Sequence, residues 1–359
     1  MKLHDDELAL ARAWSAAEPF EGLSDAQMNG IMERGRVLFK WTRAHTGLHN
    51  ALNACVLVFL FVADYLAILR LPGLFLRPGE TNRIGAILLA ALISGSIHSF
   101  LMYSLSVFSM HEGAAHRMIF LGKSRFARAT QAVAGNLCRL AASDPECYAP
   151  HHMQHHAHFG SVEDAEFLNF IGLKRYLMTF LPLAAFVNFS DFVAHRPLTY
   201  TRSRAISALL SVSYSLVYAW FAMQAWGGLF TIVSFVAVLP HAGFYLDRLR
   251  QFTEHNLMPL ENRDGSRSFG LGFWGMLIGG GPWGSPCHWE HHLVASLPWY
   301  QQLVLHRYIV GILSDRQKEQ FLLRPAIGFP LLWWKVLRQV RAFEKHKSVR
   351  VAAATGGPV

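Results

Sequence analysis

Four stretches of this chain, residues 48–69, 84–110, 205–225 and 229–245, are apolar over lengths suited to crossing a membrane. A helix needs ~20 residues to span about 30 Å of hydrocarbon. A further apolar stretch, 176–193, is borderline in length. Composition agrees: 52% of residues are hydrophobic and 16% charged, against roughly 25% charged in a typical soluble protein. So few charges cannot coat a soluble surface, and the expected fold class is an all-α polytopic membrane protein.

Loop charge orders the spans. Residues 195–204 carry Arg196, Arg202 and Arg204 and no acid, which places them on the cytoplasmic side. The uncharged Trp226-Gly227-Gly228 link suits a tight outer turn. With both ends of 176–193 cytoplasmic, that stretch lies in the interface or dips in and returns. Four spans then form two transmembrane hairpins with both termini inside. Five spans would separate the histidine clusters described below.

The first fourteen residues hold Asp5, Asp6 and Glu7 and no apolar core, so a signal peptide is not expected. Residues 1–46 form a cytoplasmic N-terminal segment. Lys335, Arg338, Arg341, Lys345, Lys347 and Arg350 lie near Trp333 and Trp334, a composition suited to the inner leaflet. Residues 351–359 form a disordered tail. With no internal repeat or low-complexity linker, 1–359 is expected to be a single integral-membrane domain. The net charge of +9 suits anionic lipid or an acidic partner, and no basic stripe interleaved with aromatics points to nucleic acid. Cys55, Cys138, Cys147 and Cys287 are scattered and suit neither a disulfide framework nor a thiolate site.

The chemistry lies in three histidine clusters: His111-Glu-Gly-Ala-Ala-His116, His151-His152-Met-Gln-His155-His156, and His288-Trp-Glu-His291-His292. Helical positions i, i+3 and i+4 share a face, so His152, His155 and His156 converge, as do His288, His291 and His292. His111 and His116, five apart, lie about 140° apart on an α-helix. They serve different metals or use a distorted helix end. Eight imidazoles exceed one metal's needs and suit two metals with about four nitrogens each. A redox role favours iron over zinc, although ligand type does not separate iron from manganese.

The His-x4-His, His-x2-His-His and His-x2-His-His boxes, in this order and on one side of two hairpins, resemble the membrane fatty acid desaturase superfamily. The resemblance covers about residues 48–310. It implies a cytoplasmic helical cap holding two iron ions, O2 as co-substrate, a fatty acid or acyl lipid substrate and an external electron donor of ferredoxin or cytochrome type. His255, after Glu254, resembles the position of an additional ligand, and Glu163-Asp164 resembles the family's acidic pair. His151 is an alternative first ligand of the second box. Ala295 stands where many relatives have proline, while Pro298 is kept. Glu112, His158, Asp164 and Glu290 are candidates to bond ligand imidazoles from behind, as are Glu163 and Glu166. No fused haem, iron–sulfur or dinucleotide motif supplies electrons.

Oxygen-dependent desaturation of a fatty acyl chain is the leading expectation. Decarboxylation of a free fatty acid to a terminal alkene and hydroxylation are the alternatives. A non-catalytic metal-binding membrane protein or transporter would need ligating groups along a path through the bilayer, where only Asp64, His98 and His241 lie; structural pairing is the simpler expectation for these three. His4, His45, His49, His195, His306 and His346 are given no role, and Trp283, Trp289 and Trp299 are expected to pack. If the source is bacterial, the membrane is the inner one.

Overall fold

The computed structural model describes residues 20–77, 83–159, 202–255, 258 and 265–322, with 334, 337, 338, 341, 342 and 345. The 176–193 stretch, Glu163, Asp164, Glu166, His4, His195, His346 and the 351–359 tail lie outside the described residues. In chain order the helices are α1 (Asp25–Ala44), α2 (Thr46–Leu69), α3 (Ile84–Val107), α4 (Arg125–Asn136), α5 (Pro145–Ala157) and α6 (Arg202–Trp226). They continue with α7 (Gly228–Ile232), α8 (Leu239–His255), α9 (Phe273–Ile278), α10 (His288–Leu293), α11 (Trp299–Ile312) and α12 (Asp315–Phe321). Among the described residues, extended pairing is limited to a parallel bridge between Ser268 and Leu322. The chain divides into two compact units, one of residues 40–150 and 183–247, the other of residues 1–39, 151–182 and 248–359.

The first unit holds the apolar helices. Among the described residues, three helices are long and apolar enough to cross a membrane: Thr46–Leu69, Ile84–Ala115 and Arg202–Trp226. Their outer surface is itself apolar, with Val58, Leu209 and Trp220 more than half exposed. Water would oppose so much exposed apolar surface, whereas lipid covers it without cost. Inside, Ile68, Ile87, Ala90, Ala91, Ala222 and Phe230 form a buried core. A Cβ on Gly95 would lie 3.0 Å from the Ser234 Cα, so the backbones meet at small residues, as is common between membrane helices.

The fourth apolar stretch is not among these three spans. Between α7 and α8 it widens into a π-helical segment, Val233–Val238, and the shorter apolar helix is Gly228–Val238. Pro240 follows, with no N–H to give an α-helical ladder, and Asp247, Arg248 and Arg250 then make α8 polar. Insertion of a residue into the i→i−4 ladder is a recognised cause of such widened turns.

Asp64, His98 and Tyr214 form a polar network across α2, α3 and α6. The His98 ring bonds one Asp64 oxygen through Nδ1, and the Tyr214 hydroxyl donates to the other at 2.6 Å. This is the structural pairing expected for two ionisable groups inside spans.

The second unit has a core of Ile31, Leu293, Leu305 and Ile309 with Trp289 stacked on Phe321 at 3.8 Å. A capping box of Ser314 and Gln317 starts α12; each side chain satisfies a backbone donor that the helix leaves open. The glycine-rich lead-in to α10 is built on backbone proximity. A Cβ on Gly284 would lie 1.9 Å from the Gly279 carbonyl oxygen, and Gly281 adopts φ 96°, a region that favours glycine. The tight turn delivers His288 to the start of α10.

Candidate metal centre

In the first unit, the wide spacing of the first box is met by the backbone. Helix α3 passes at Phe108 into a π-helical segment, Phe108–Ala115. The His116 N–H bonds the His111 carbonyl at 3.0 Å, the i→i+5 pattern of a π turn. Residues five apart are then brought towards one face, and the two rings meet edge to face with their centres 4.8 Å apart. The distorted helix end is thus the alternative that the backbone takes. Gln131 of α4 donates to the Gly113 carbonyl at 2.7 Å. A Cβ on Gly113 would lie 2.8 Å from the Gly135 Cα, so α4 packs against the widened turn. Burial, with the neighbouring His111 second, pushes the His116 pKa down to about 3. That keeps the imidazole neutral, the form that ligates metal.

In the second unit, His155 of α5, His255 at the end of α8 and His288 and His292 of α10 turn their ring nitrogens to a common point. Their candidate ligand atoms lie within 4.8 Å of one another. The Nε2 atoms of His255 and His288 are 2.8 Å apart, those of His288 and His292 3.1 Å, and those of His155 and His292 3.3 Å. Metal–nitrogen distances of about 2.0–2.1 Å place neighbouring ligands about 2.8–3.4 Å apart, for angles from square to tetrahedral. The observed separations are edges of such a polyhedron, so the residues fit a metal. Burial, followed by the adjoining imidazoles, pushes the His288 and His292 pKa values well below 6.5. Beside this group His156 Nε2 lies 3.1 Å from His152 Nε2 and 2.8 Å from His291 Nε2. That is a second convergence of nitrogens at ligand spacing.

The sequence profile described as fatty acid desaturase matches residues 85–322. The chain belongs to the fatty acid desaturase family. The match includes all three boxes and His255 and begins after α2. No curated protein and no solved structure matches the chain. Family and clusters together make it an enzyme of the membrane di-iron oxidoreductase type.

Other groups lie behind the imidazoles of this desaturase-family site. Glu112 Oε1 lies 3.1 Å from His111 Nδ1, and Glu254 Oε1 lies 3.5 Å from His288 Nδ1. The Gln302 amide is 3.4 Å from His291 Nδ1. Glu290 is turned elsewhere: it bonds His306 Nδ1 at 2.6 Å and accepts from the Ser268 hydroxyl. Ser268 in turn accepts the Trp289 N–H at 3.0 Å. The carboxylate therefore clamps α10 to its surroundings instead of bonding a box imidazole. Burial alone would lower the His306 pKa, but the Glu290 contact outweighs it and raises it. Cys287 lies near this pair; burial, then Glu290, holds its thiol protonated, so it is not a metal-ready thiolate.

Within the second box His152 and His155 are buried, His156 and His151 half-buried and His158 exposed. Asp164 lies outside the described residues. Sequence reasoning passed over Glu254, Ser268, His306, Gln302 and Phe159. The Phe159 ring lies 5.0–5.1 Å from those of His155, His255 and His292, an apolar cover on the four-histidine group. Glu254 offered a faint signal, since it lies four residues after Arg250 and pairs with it at 2.9 Å. His306 offered none: a lone histidine in an apolar helix carries no pattern.

Proposed function

We propose that this chain is an O2-dependent fatty acid desaturase that introduces a double bond into a fatty acyl chain, acting at the cytoplasmic face of a four-span membrane domain. The observation that carries the reading is the four-imidazole polyhedron of His155, His255, His288 and His292 in a chain of this family. The proposed ligand set is His111, His116, His152, His155, His156, His255, His288, His291 and His292, holding two iron ions. For His111 and His116 the support is the box pattern, their pairing on the π turn and the neutral His116 ring.

When bound, the iron pair supplies oxygen chemistry able to take hydrogen from an unactivated carbon, which no side chain does alone. The chain's own residues supply geometry. The imidazoles of His116, His288 and His292, held neutral by burial, present lone pairs without a proton to displace, and Phe159 covers one face of the four-histidine group. Overall, two hydrogens leave adjacent methylenes and O2 becomes two waters, with two electrons from a donor and two protons from solvent. The donor is an external ferredoxin or cytochrome type. Its docking is supported by Arg117, Lys123, Arg125 and Arg128, exposed in a stretch, 117–136, that contains no acid. Charge reversal there would slow donor-driven turnover; unchanged turnover would refute the docking.

The test is product analysis. Iron-loaded protein receives a saturated fatty acid, O2 and a reducing system, with gas chromatography of headspace and acids. An internal alkene of unchanged carbon number is expected. A terminal alkene one carbon shorter would establish decarboxylation, and a hydroxy acid hydroxylation. Either would overturn the proposed reaction while leaving the site intact.

A further inference from the structure

We infer that Glu254 is a positioning residue for the metal centre: it holds His288 in the tautomer and ring orientation that a metal requires. The inference rests on the proposed metal binding and adds a residue to it.

His288 is 3% exposed. Its Nε2 faces the nitrogens of His255 and His292, at 2.8 and 3.1 Å, so Nε2 is the nitrogen aimed at the metal. A neutral imidazole that ligates through Nε2 carries its proton on Nδ1. That Nδ1 is buried and has no hydrogen-bond partner. The carboxylate facing it is Glu254, with Oε1 at 3.5 Å. This distance exceeds the 2.7–3.2 Å range of a formed N–H···O bond. At 3.5 Å the carboxylate still acts on the ring electrostatically, favouring the tautomer with its proton on Nδ1.

Glu254 is suited to the task by its own setting. It is 1% exposed, and its second oxygen is held by the Arg250 guanidinium at 2.9 Å. The guanidinium balances the charge and fixes the carboxylate, leaving Oε1 toward His288. Glu254 also immediately precedes His255, so the last turn of α8 brings one ligand and the support for another. A carboxylate behind an imidazole fixes its orientation and raises its basicity; losing such a partner costs about 10–100-fold in metal affinity. The Gln302 amide lies 3.4 Å from His291 Nδ1, and the Gly265 carbonyl 3.4 Å from His255 Nδ1.

The experiment compares full-length wild type with Glu254→Gln, Glu254→Asp and Glu254→Gln/Arg250→Met, each purified with iron in lipid nanodiscs. Iron per chain is titrated against a chelator, and Mössbauer spectra are recorded. In Glu254→Gln the chelator concentration that removes one of the two irons should fall about 10–100-fold, and the spectrum of that iron should shift. Glu254→Asp should recover part of the loss. The double variant should behave like Glu254→Gln, showing that a stranded Arg250 charge is not the cause. A lower Tm with both irons held as in wild type and spectra unshifted would assign Glu254 a purely structural role and overturn the inference. Wild type that holds no iron would overturn the metal reading itself, and the inference with it.

Discussion

Removing one member of the Asp64–His98 pair should destabilise the protein more than removing both. Asp64 is 2% exposed and His98 is not exposed; they sit in helices α2 and α3, and Tyr214 of α6 bonds the remaining carboxylate oxygen at 2.6 Å. Breaking a buried pair by deleting one partner costs about 3–5 kcal/mol, because the other is left without its counterpart. Asp64→Leu and His98→Leu should each show that loss, and Tyr214→Phe about 1.5–3 kcal/mol for one hydrogen bond to a charged group. If the sites were independent, the double variant Asp64→Leu/His98→Leu would lose about 6–10 kcal/mol, twice the single figure. Replacing both partners by apolar side chains is often neutral or stabilising, so the double variant should lose only about 1.5–3 kcal/mol, for the Tyr214 bond that leaves with Asp64. The coupling then reaches several kcal/mol, well beyond the ~0.5 kcal/mol scatter of unrelated sites. Reversible unfolding in mixed micelles of rising denaturing-detergent content measures wild type and the four variants. Additive losses would refute the argument, because they would mean that the two groups are not stabilised by one another.

Metal-free protein should lose stability as pH falls below about 6.5. His116, His288 and His292 have folded pKa values below 6.5, so in that window the unfolded chain binds more protons and acid favours unfolding. The His116 contribution continues to about 3; a flat Tm between pH 7 and 5 would contradict this. Gly284→Ala should abolish correct folding of the approach to α10, since its Cβ would meet the Gly279 carbonyl at 1.9 Å; wild-type iron content in that variant would disprove it. Glu290→Ala should cost about 3–5 kcal/mol by stranding His306 and should lower iron content through the shift of α10; a change confined to iron, with Tm unaltered, would count against the clamp.

The sequence made the second and third boxes legible because helical periodicity alone brings i, i+3 and i+4 together, as His152, His155 and His156 and then His288, His291 and His292 show. It placed three of the apolar helices for the same reason, since length and polarity are local properties. The fourth stretch is helical throughout, but its change of pitch at Val233–Val238 was not legible, because hydropathy does not register helical pitch. Ser234 bonding to the Ala91 carbonyl and the approach at Gly95 favour the widened turn, and both involve residues remote in sequence. Glu290 looked like a supporting carboxylate from its place between ligands, but adjacent helical positions point in different directions. Its partners Ser268 and His306 come from separate segments. Glu254 faces His288 across a similar chain separation, which no local spacing encodes.

The π turn at His111–His116 makes the number of residues in the first box a statement about the backbone. On an ordinary α-helix, two ligands four apart would stack; here one more residue is accommodated by widening the turn. Deleting Ala114 would leave two histidines four apart and still able to face the same way, but with the wide turn lost. Every residue beyond it would then be rotated and drawn back along the helix axis. The box is thus a length gauge as well as a pair of ligands. An engineered shortening would be felt first at the seat of α4 on Gly113, before either imidazole had been altered.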